Sequence, residues 1–322
     1  MNTAAKVGSF TAGLGLAFGA AFGIGGAVGP IGSDPAPAHD DHGGSADDTP
    51  GDTPRNEDDM DHGAHAGGST PTTPGGLQIS ERGYTLVPPA RTAAPGEETD
   101  LRFRVLGPDG APLTEYTPTH ERDLHLIVAR RDLSGFQHVH PTLGADGTWS
   151  VPLTFPEAGD YRMFADFAPA GDDAGPLTLG ADLPVAGAYA PQPLPEAART
   201  ATVDGYTVTL DGSLAAGAES ALTLSVSRDG EPVTDLEPYL GAYGHLVALR
   251  EGDLAYLHVH PQGEPGDGET PAGPGITFHT QAPSDGAYRL YLDFQHGGTV
   301  RTAAFTVVAG HGGGETDGGH TH

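Results

Sequence analysis

Cysteine is absent from the 322 residues. That excludes disulfides, thiolate metal sites and thiol nucleophiles, and it leaves His, Asp, Glu and Met as the side chains able to ligate a metal. Basic residues are scarce: 15 Lys and Arg stand against 43 Asp and Glu, a formal net charge of -28. With no basic stripe to neutralise phosphates, nucleic acid is not expected as a partner, whereas an acidic surface favours cations. The 3 methionines are too few and too scattered for a methionine-rich copper site. No Gly-x-Ser-x-Gly elbow, phosphate loop, dinucleotide fingerprint or zinc-protease helix motif occurs, so the reading is of a non-enzyme.

Glycine (50) and proline (29) are plentiful and gather partly at the two ends. Lys6 precedes a nearly uncharged stretch, Val7 to Gly32, long enough to span a bilayer. It reads as a signal anchor or a signal peptide over residues 1–32, and Ala36-Pro37-Ala38 resembles a cleavage site a little beyond it. Both readings export the bulk of the chain, tethered to the cell membrane or secreted. Residues 33–76 form a disordered linker of Asp, Gly, Pro and His, including His39, His42, His62 and His65. A Gly-rich tail, 309–322, closes the chain with His311, His320 and His322.

Between these ends the sequence repeats. Asp109/Asp229, Pro118/Pro238, His125/His245 and His138/His258 recur 120 residues apart, and past them Tyr161/Tyr288 recur at 127. The difference falls in the Pro/Gly-rich stretch Gln262 to Gly275, as a loop insertion in a duplicated domain would. Short alternating runs with Asp-Gly turns and no amphipathic helix predict an all-β protein of two tandem immunoglobulin-like β-sandwich repeats. The repeats cover 77–187 and 200–308, joined by the Ala/Pro-rich linker 188–199. Trp149, Tyr161, Phe164, Tyr288 and Tyr291 are expected in the cores.

Each repeat carries a histidine hairpin. Gly244 to Pro261 reads Gly-His-Leu-Val-Ala-Leu-Arg-Glu-Gly-Asp-Leu-Ala-Tyr-Leu-His-Val-His-Pro, and Leu124 to Pro141 matches it. A two-residue turn at Glu251-Gly252 predicts His245 opposite His258, and the same register sets His125 opposite His138. Residues two apart share a strand face, so each hairpin is expected to present three imidazoles on one side: His125, His138 and His140, then His245, His258 and His260. Such a set suits Cu(II) or Zn(II). Asp166 and Asp293, on the strands from Tyr161 and Tyr288, are candidates for an oxygen ligand or a carboxylate that orients an imidazole. His279 and His296 are further candidates in the second repeat. Hydrogen-bonded histidines with no metal are the alternative for each hairpin. The spacing Gly252-x5-His258-x-His260-x3-Glu264 also matches the opening of the cupin metal motif, but nothing downstream completes it.

The two hairpins, with the apolar N-terminal stretch and linker before them, resemble exported, membrane-anchored proteins of high-GC Gram-positive bacteria, some of them described as heavy-metal-associated. Each repeat is more loosely similar to extracytoplasmic immunoglobulin-like modules of copper handling. The resemblance implies a tethered β protein in envelope metal homeostasis, with these histidines as its candidate ligands and an envelope metal-handling protein as its partner. The expected function is copper or zinc sequestration or delivery outside the membrane. A metal-free interaction or scaffolding module is the alternative, and a cupin-like metalloenzyme stands behind both.

Overall fold

The computed structural model describes residues 73–257 and 259–311. The apolar segment 1–32, the linker up to residue 72, His258 and the tail after residue 311 lie outside them, and with them the expectations made there. Among the described residues no helix is long and apolar enough to cross a membrane.

The first repeat contains β1 (Ser80–Glu81), β2 (Tyr84–Val87), β3 (Glu98–Leu106), β4 (Tyr116–Thr117), β5 (Leu124–Arg130), β6 (Gln137–Val139), β7 (Thr142–Leu143), β8 (Thr148–Thr154), β9 (Gly159–Pro169) and β10 (Leu177–Val185). The second contains β11 (Thr200–Val203), β12 (Tyr206–Asp211), β13 (Ala215–Ala216), β14 (Glu219–Arg228), β15 (Glu231–Pro232), β16 (Gly244–Arg250), β17 (Tyr256–Leu257), β18 (Val259–Pro261), β19 (Gly275–Gln281), β20 (Gly286–His296) and β21 (Thr299–His311).

Two sheets make each repeat. In the first, β1-β2-β3-β8-β7 faces β10-β9-β5-β6; in the second, β11-β12-β14-β19-β18 faces β13-β21-β20-β16-β17. This is the strand order of an immunoglobulin-like sandwich, and the expected fold class is met. A second hallmark of that fold is present twice. Tyr161 Oη donates to Glu157 O (3.0 Å) and Tyr288 Oη to Ser284 O (2.8 Å), each closing the corner before its strand. Both rings are fully buried. Tyr288→Phe is therefore expected to lower the unfolding free energy by about 1 kcal/mol. Urea denaturation checks it, and an unchanged midpoint would mean the corner bond contributes nothing.

The cores follow from period-2 alternation, with one departure that matters. Every residue of β5 is buried, so both faces of that strand are covered. Leu124, Leu126 and Val128 enter the core of repeat 1. Ile127 and Ala129 instead pack with Leu133 and Phe164 against Val247, Leu249, Leu254 and Tyr291 of repeat 2. These are equivalent positions of the two repeats, so the sandwiches meet through the same face of each in a pseudo-twofold contact. Phe136 stacks on Tyr291 (3.9 Å, 6°), and the equivalent pair, Phe164 and Tyr256, lies at 5.8 Å. Phe164 and Tyr291 thus belong to the inter-repeat contact, not to the sandwich cores expected for them, while Trp149, Tyr161 and Tyr288 are core residues.

The connecting segments are bound to this body. Gly76 N donates to Thr178 O, Gly76 O accepts two bonds from Arg162, and Tyr256 N donates to Gly75 O. The approach is so close that a Cβ on Gly180 would stand 1.9 Å from Gly76 O. Gly75 and Gly76, inside the segment expected above to be disordered linker, are therefore part of the folded body. In the 188–199 joint, Tyr189 lies under Arg130, Ala190 O accepts from it, and Leu194 packs on the inter-repeat cluster.

Candidate metal centre

Both hairpins are two residues away from the expected register, and only that of repeat 1 keeps its histidines in one sheet: in repeat 2 the chain crosses over after β17, and β18 pairs with β19 of the opposite sheet, with His260 opposite His279, not beside His245. Ile127 pairs with His138 and Leu126 with Val139; in repeat 2, Leu249 pairs with Tyr256. The turns are wider than two residues because an aspartate shapes each. Asp132 Oδ1 accepts from Ser134 N (3.1 Å) and Asp253 Oδ1 from Ala255 N (3.0 Å), the side-chain capping that favours Asp in turns. Leu133 and Leu254 then take up left-handed backbone, with φ of 64° and 61°. A shift of two keeps every side chain on its face, so in repeat 1 the expected face survives the wrong turn.

That face is the one the repeats share. His125 continues the row of Ile127 and Ala129, and His245 that of Val247 and Leu249, so docking the repeats brings both histidines to one end of the contact. The expected pair of separate hairpin sites becomes one cluster. A cavity of about 320 Å³ there is lined by His120, His125, His138, Asp166, His245, Tyr256 and His260, among others.

Hydrogen bonds fix the rings. His125 Nε2 donates to Thr119 O (2.9 Å) and His245 Nε2 to Tyr239 O (2.8 Å). A carbonyl only accepts, so both rings carry their proton on Nε2 and keep the Nδ1 lone pair. His138 Nδ1 donates to Asp293 Oδ2 (2.8 Å), across the repeats, which turns Nε2 toward His125. Asp293 is held in turn by Thr302 Oγ1 (2.5 Å), and the His138 and Asp293 side chains are 4% and 5% exposed. His125 Nδ1 stands 3.1 Å from His138 Nε2 and 3.2 Å from His140 Nε2, and the ligand atoms of the three lie within 4.8 Å of one another. Nitrogens bound tetrahedrally at 2.0–2.1 Å to one ion would be about 3.3 Å apart.

Burial, above all, pushes the imidazoles down, His125 and His140 to about 3 and His245 to about 4. All three are neutral at pH 7, the form that ligates metal. Asp166 lies opposite His125 in the sheet and accepts from Thr178 Oγ1 (2.8 Å); burial raises it to about 6.

The other sequence candidates are dispersed. His279 is half-buried on the outer side of β19, opposite His260 and paired with Glu219 (3.2 Å). His296 sits between Tyr206 Oη (2.7 Å) and Asp235 (3.1 Å). Neither lines the cavity. Asp293, expected to serve the histidines of its own repeat, instead orients His138 of the other. His120 escaped the sequence reading: it lies outside the hairpin, in a turn where strand periodicity assigns no face, with φ of 47°. Its ring centroid is 5.1 Å from that of His245.

Fold and site together define a tandem immunoglobulin-like β protein with a histidine cluster built where its repeats meet. The chain belongs to the family described as Domain of unknown function (DUF8832), matching it over residues 80–176 and 201–311. The family match carries no metal-associated description. No curated protein matches the chain in sequence. Similar solved structures include domains 4 and 5 of the S-layer protein SbsC (9% identity, TM-score 0.21, 72% of this chain and 98% of that one). InvD of Yersinia pseudotuberculosis is another (14%, 0.24, 76% and 62%), as is a putative membrane anchored protein from Corynebacterium diphtheriae (11%, 0.21, 71% and 59%).

Proposed function

We propose that this chain is a non-enzymatic, extracytoplasmic metal-binding protein that holds one Cu(II) or Zn(II) ion on His125 Nδ1, His138 Nε2 and His140 Nε2, for sequestration or delivery. One observation carries the reading. His125 Nε2 is bonded to Thr119 O and His138 Nδ1 to Asp293, which turns His125 Nδ1 and His138 Nε2 toward each other at 3.1 Å; with both rings neutral these are two facing lone pairs. That contact is repulsive until a cation enters it. Imidazole binds both metals, and Cu(II) the more tightly. The apolar N-terminal sequence supports a site outside the membrane, tethered or secreted.

A metal-free envelope interaction module is the second reading, favoured by His140 Nε2, which at 3.2 Å is able to donate to His125 Nδ1. Calorimetric titration of a 73–311 fragment with Cu(II) and Zn(II) decides between them. That fragment keeps Gly75, Gly76 and Gly310, all hydrogen-bonded into the fold, and of the flanking histidines it retains only His311. Tight binding that His140→Ala weakens at least tenfold is the expected result. Only weak, unsaturable uptake, unaltered in the variant, would leave the metal-free module.

A further inference from the structure

The geometry points to a second cation position in the same cavity, on the repeat-2 side, built from His245, Asp166, His120 and His260 and suited to a divalent ion that takes imidazole and carboxylate together. It takes only the class of ion from the reading of the first site; its residues are different.

The pseudo-twofold contact supplies the argument. His125 and His245 are equivalent in sequence and in hydrogen bonding, each with Nε2 on the carbonyl six residues before it. Asp166 and Asp293 are likewise equivalent. Each is opposite the first histidine of its own repeat, and each is held on Oδ1 by a threonine of the next strand, Thr178 or Thr302. The symmetry that brings Asp293 to the repeat-1 histidines therefore brings Asp166 to the repeat-2 side. His245 is buried with its Nδ1 lone pair kept free of a proton by the bond to Tyr239 O. His120 has no histidine counterpart, since position 240 is Leu, yet its turn places its ring edge-on to His245, with centroids 5.1 Å apart. His260 joins Asp166 and His245 along the cavity wall. Two imidazoles and a carboxylate from both repeats thus flank a space beside the first cluster, with a third imidazole at hand.

The test compares full-length wild type, His245→Ala, His138→Ala and the double variant, each loaded with Cu(II), dialysed, and measured for copper content and EPR. Ions held by the flanking histidines are common to all four proteins and cancel in the differences. The inference expects each single variant to lose one ion and the double variant two. It also expects a wild-type EPR signal broadened by a neighbouring copper and sharp in either single variant. Asp166→Asn, nearly isosteric, stands in for His245→Ala if that variant fails to fold, and should lose the same ion. Wild-type stoichiometry in both His245→Ala and Asp166→Asn would overturn the second position. So would all three histidine variants losing one and the same ion, an outcome that leaves the first site standing. No loss in any variant would remove both.

Discussion

Asp293→Ala should weaken Cu(II) or Zn(II) binding at the His125, His138 and His140 cluster by roughly 10- to 100-fold, although Asp293 is not among the ligands. The carboxylate keeps the His138 proton on Nδ1. Without it, the neutral ring is free to carry that proton on Nε2, where it would point at His125 Nδ1, 3.1 Å away. A repulsive contact between two lone pairs would become an ordinary hydrogen bond, and an incoming ion would have to displace the proton first. Competition titration against a chelator of known affinity measures the change. Thr302→Val, which removes only the bond that steadies Asp293, should show the same effect on a smaller scale. Unaltered affinity in Asp293→Ala would mean that the cross-repeat carboxylate has no part in metal binding.

Arg130→Ala should cost about 3–5 kcal/mol of unfolding free energy, the loss expected when one partner of a buried ion pair is removed. The Arg130 and Asp132 side chains are 1% and 4% exposed, with Nη1 3.2 Å from Asp132 Oδ2. The same guanidinium contacts Glu157 and donates to Ala190 O, and its plane lies over Tyr189. It therefore ties together a strand end, the turn before β9 and the inter-repeat linker. Removing it leaves Asp132 charged and enclosed. In repeat 2 the equivalent pair, Arg250 and Asp253, is 19% and 43% exposed. Solvent screens it, so Arg250→Ala should cost about 1 kcal/mol or less. Guanidinium denaturation of the two variants side by side checks the contrast. Equal losses would show that burial does not govern the strength of these pairs. Arg130→Met combined with Asp132→Asn should recover part of the loss, because no unpaired charge then remains buried.

Much of this molecule is legible in its sequence, for identifiable reasons. Duplication shows as a constant spacing between anchors, and a half-buried strand such as β14 shows its alternation directly. The imidazoles of the repeat-1 hairpin share a face because side-chain period survives an error of two in register, whereas the crossover of β18 to the opposite sheet in repeat 2 leaves no local trace. What the sequence conceals is the docking of one repeat on the other. A strand covered on both faces, like β5, has no polar side, and the run Leu-His-Leu-Ile-Val-Ala reads equally well with one partner or two. Asp293 reads as a partner for the histidines of its own repeat, since no local pattern encodes a bond between residues 155 positions apart. His120 depends on a turn conformation that its neighbours do not announce.

The pinned linker has a consequence of its own. Ala186 to Arg199 is one short span between β10 and β11, with a flexible-chain reach of roughly 20 Å. A tether of that length holds each repeat at an effective concentration on the order of millimolar around the other. The contact between Ile127, Phe164, Val247 and Tyr291 can therefore be modest by the standards of a free complex and still be formed almost all the time. The bond from His138 to Asp293, on which the cluster depends, is in this sense a property of covalent connection. Separated into two chains, the same surfaces would meet only as often as their concentration allowed.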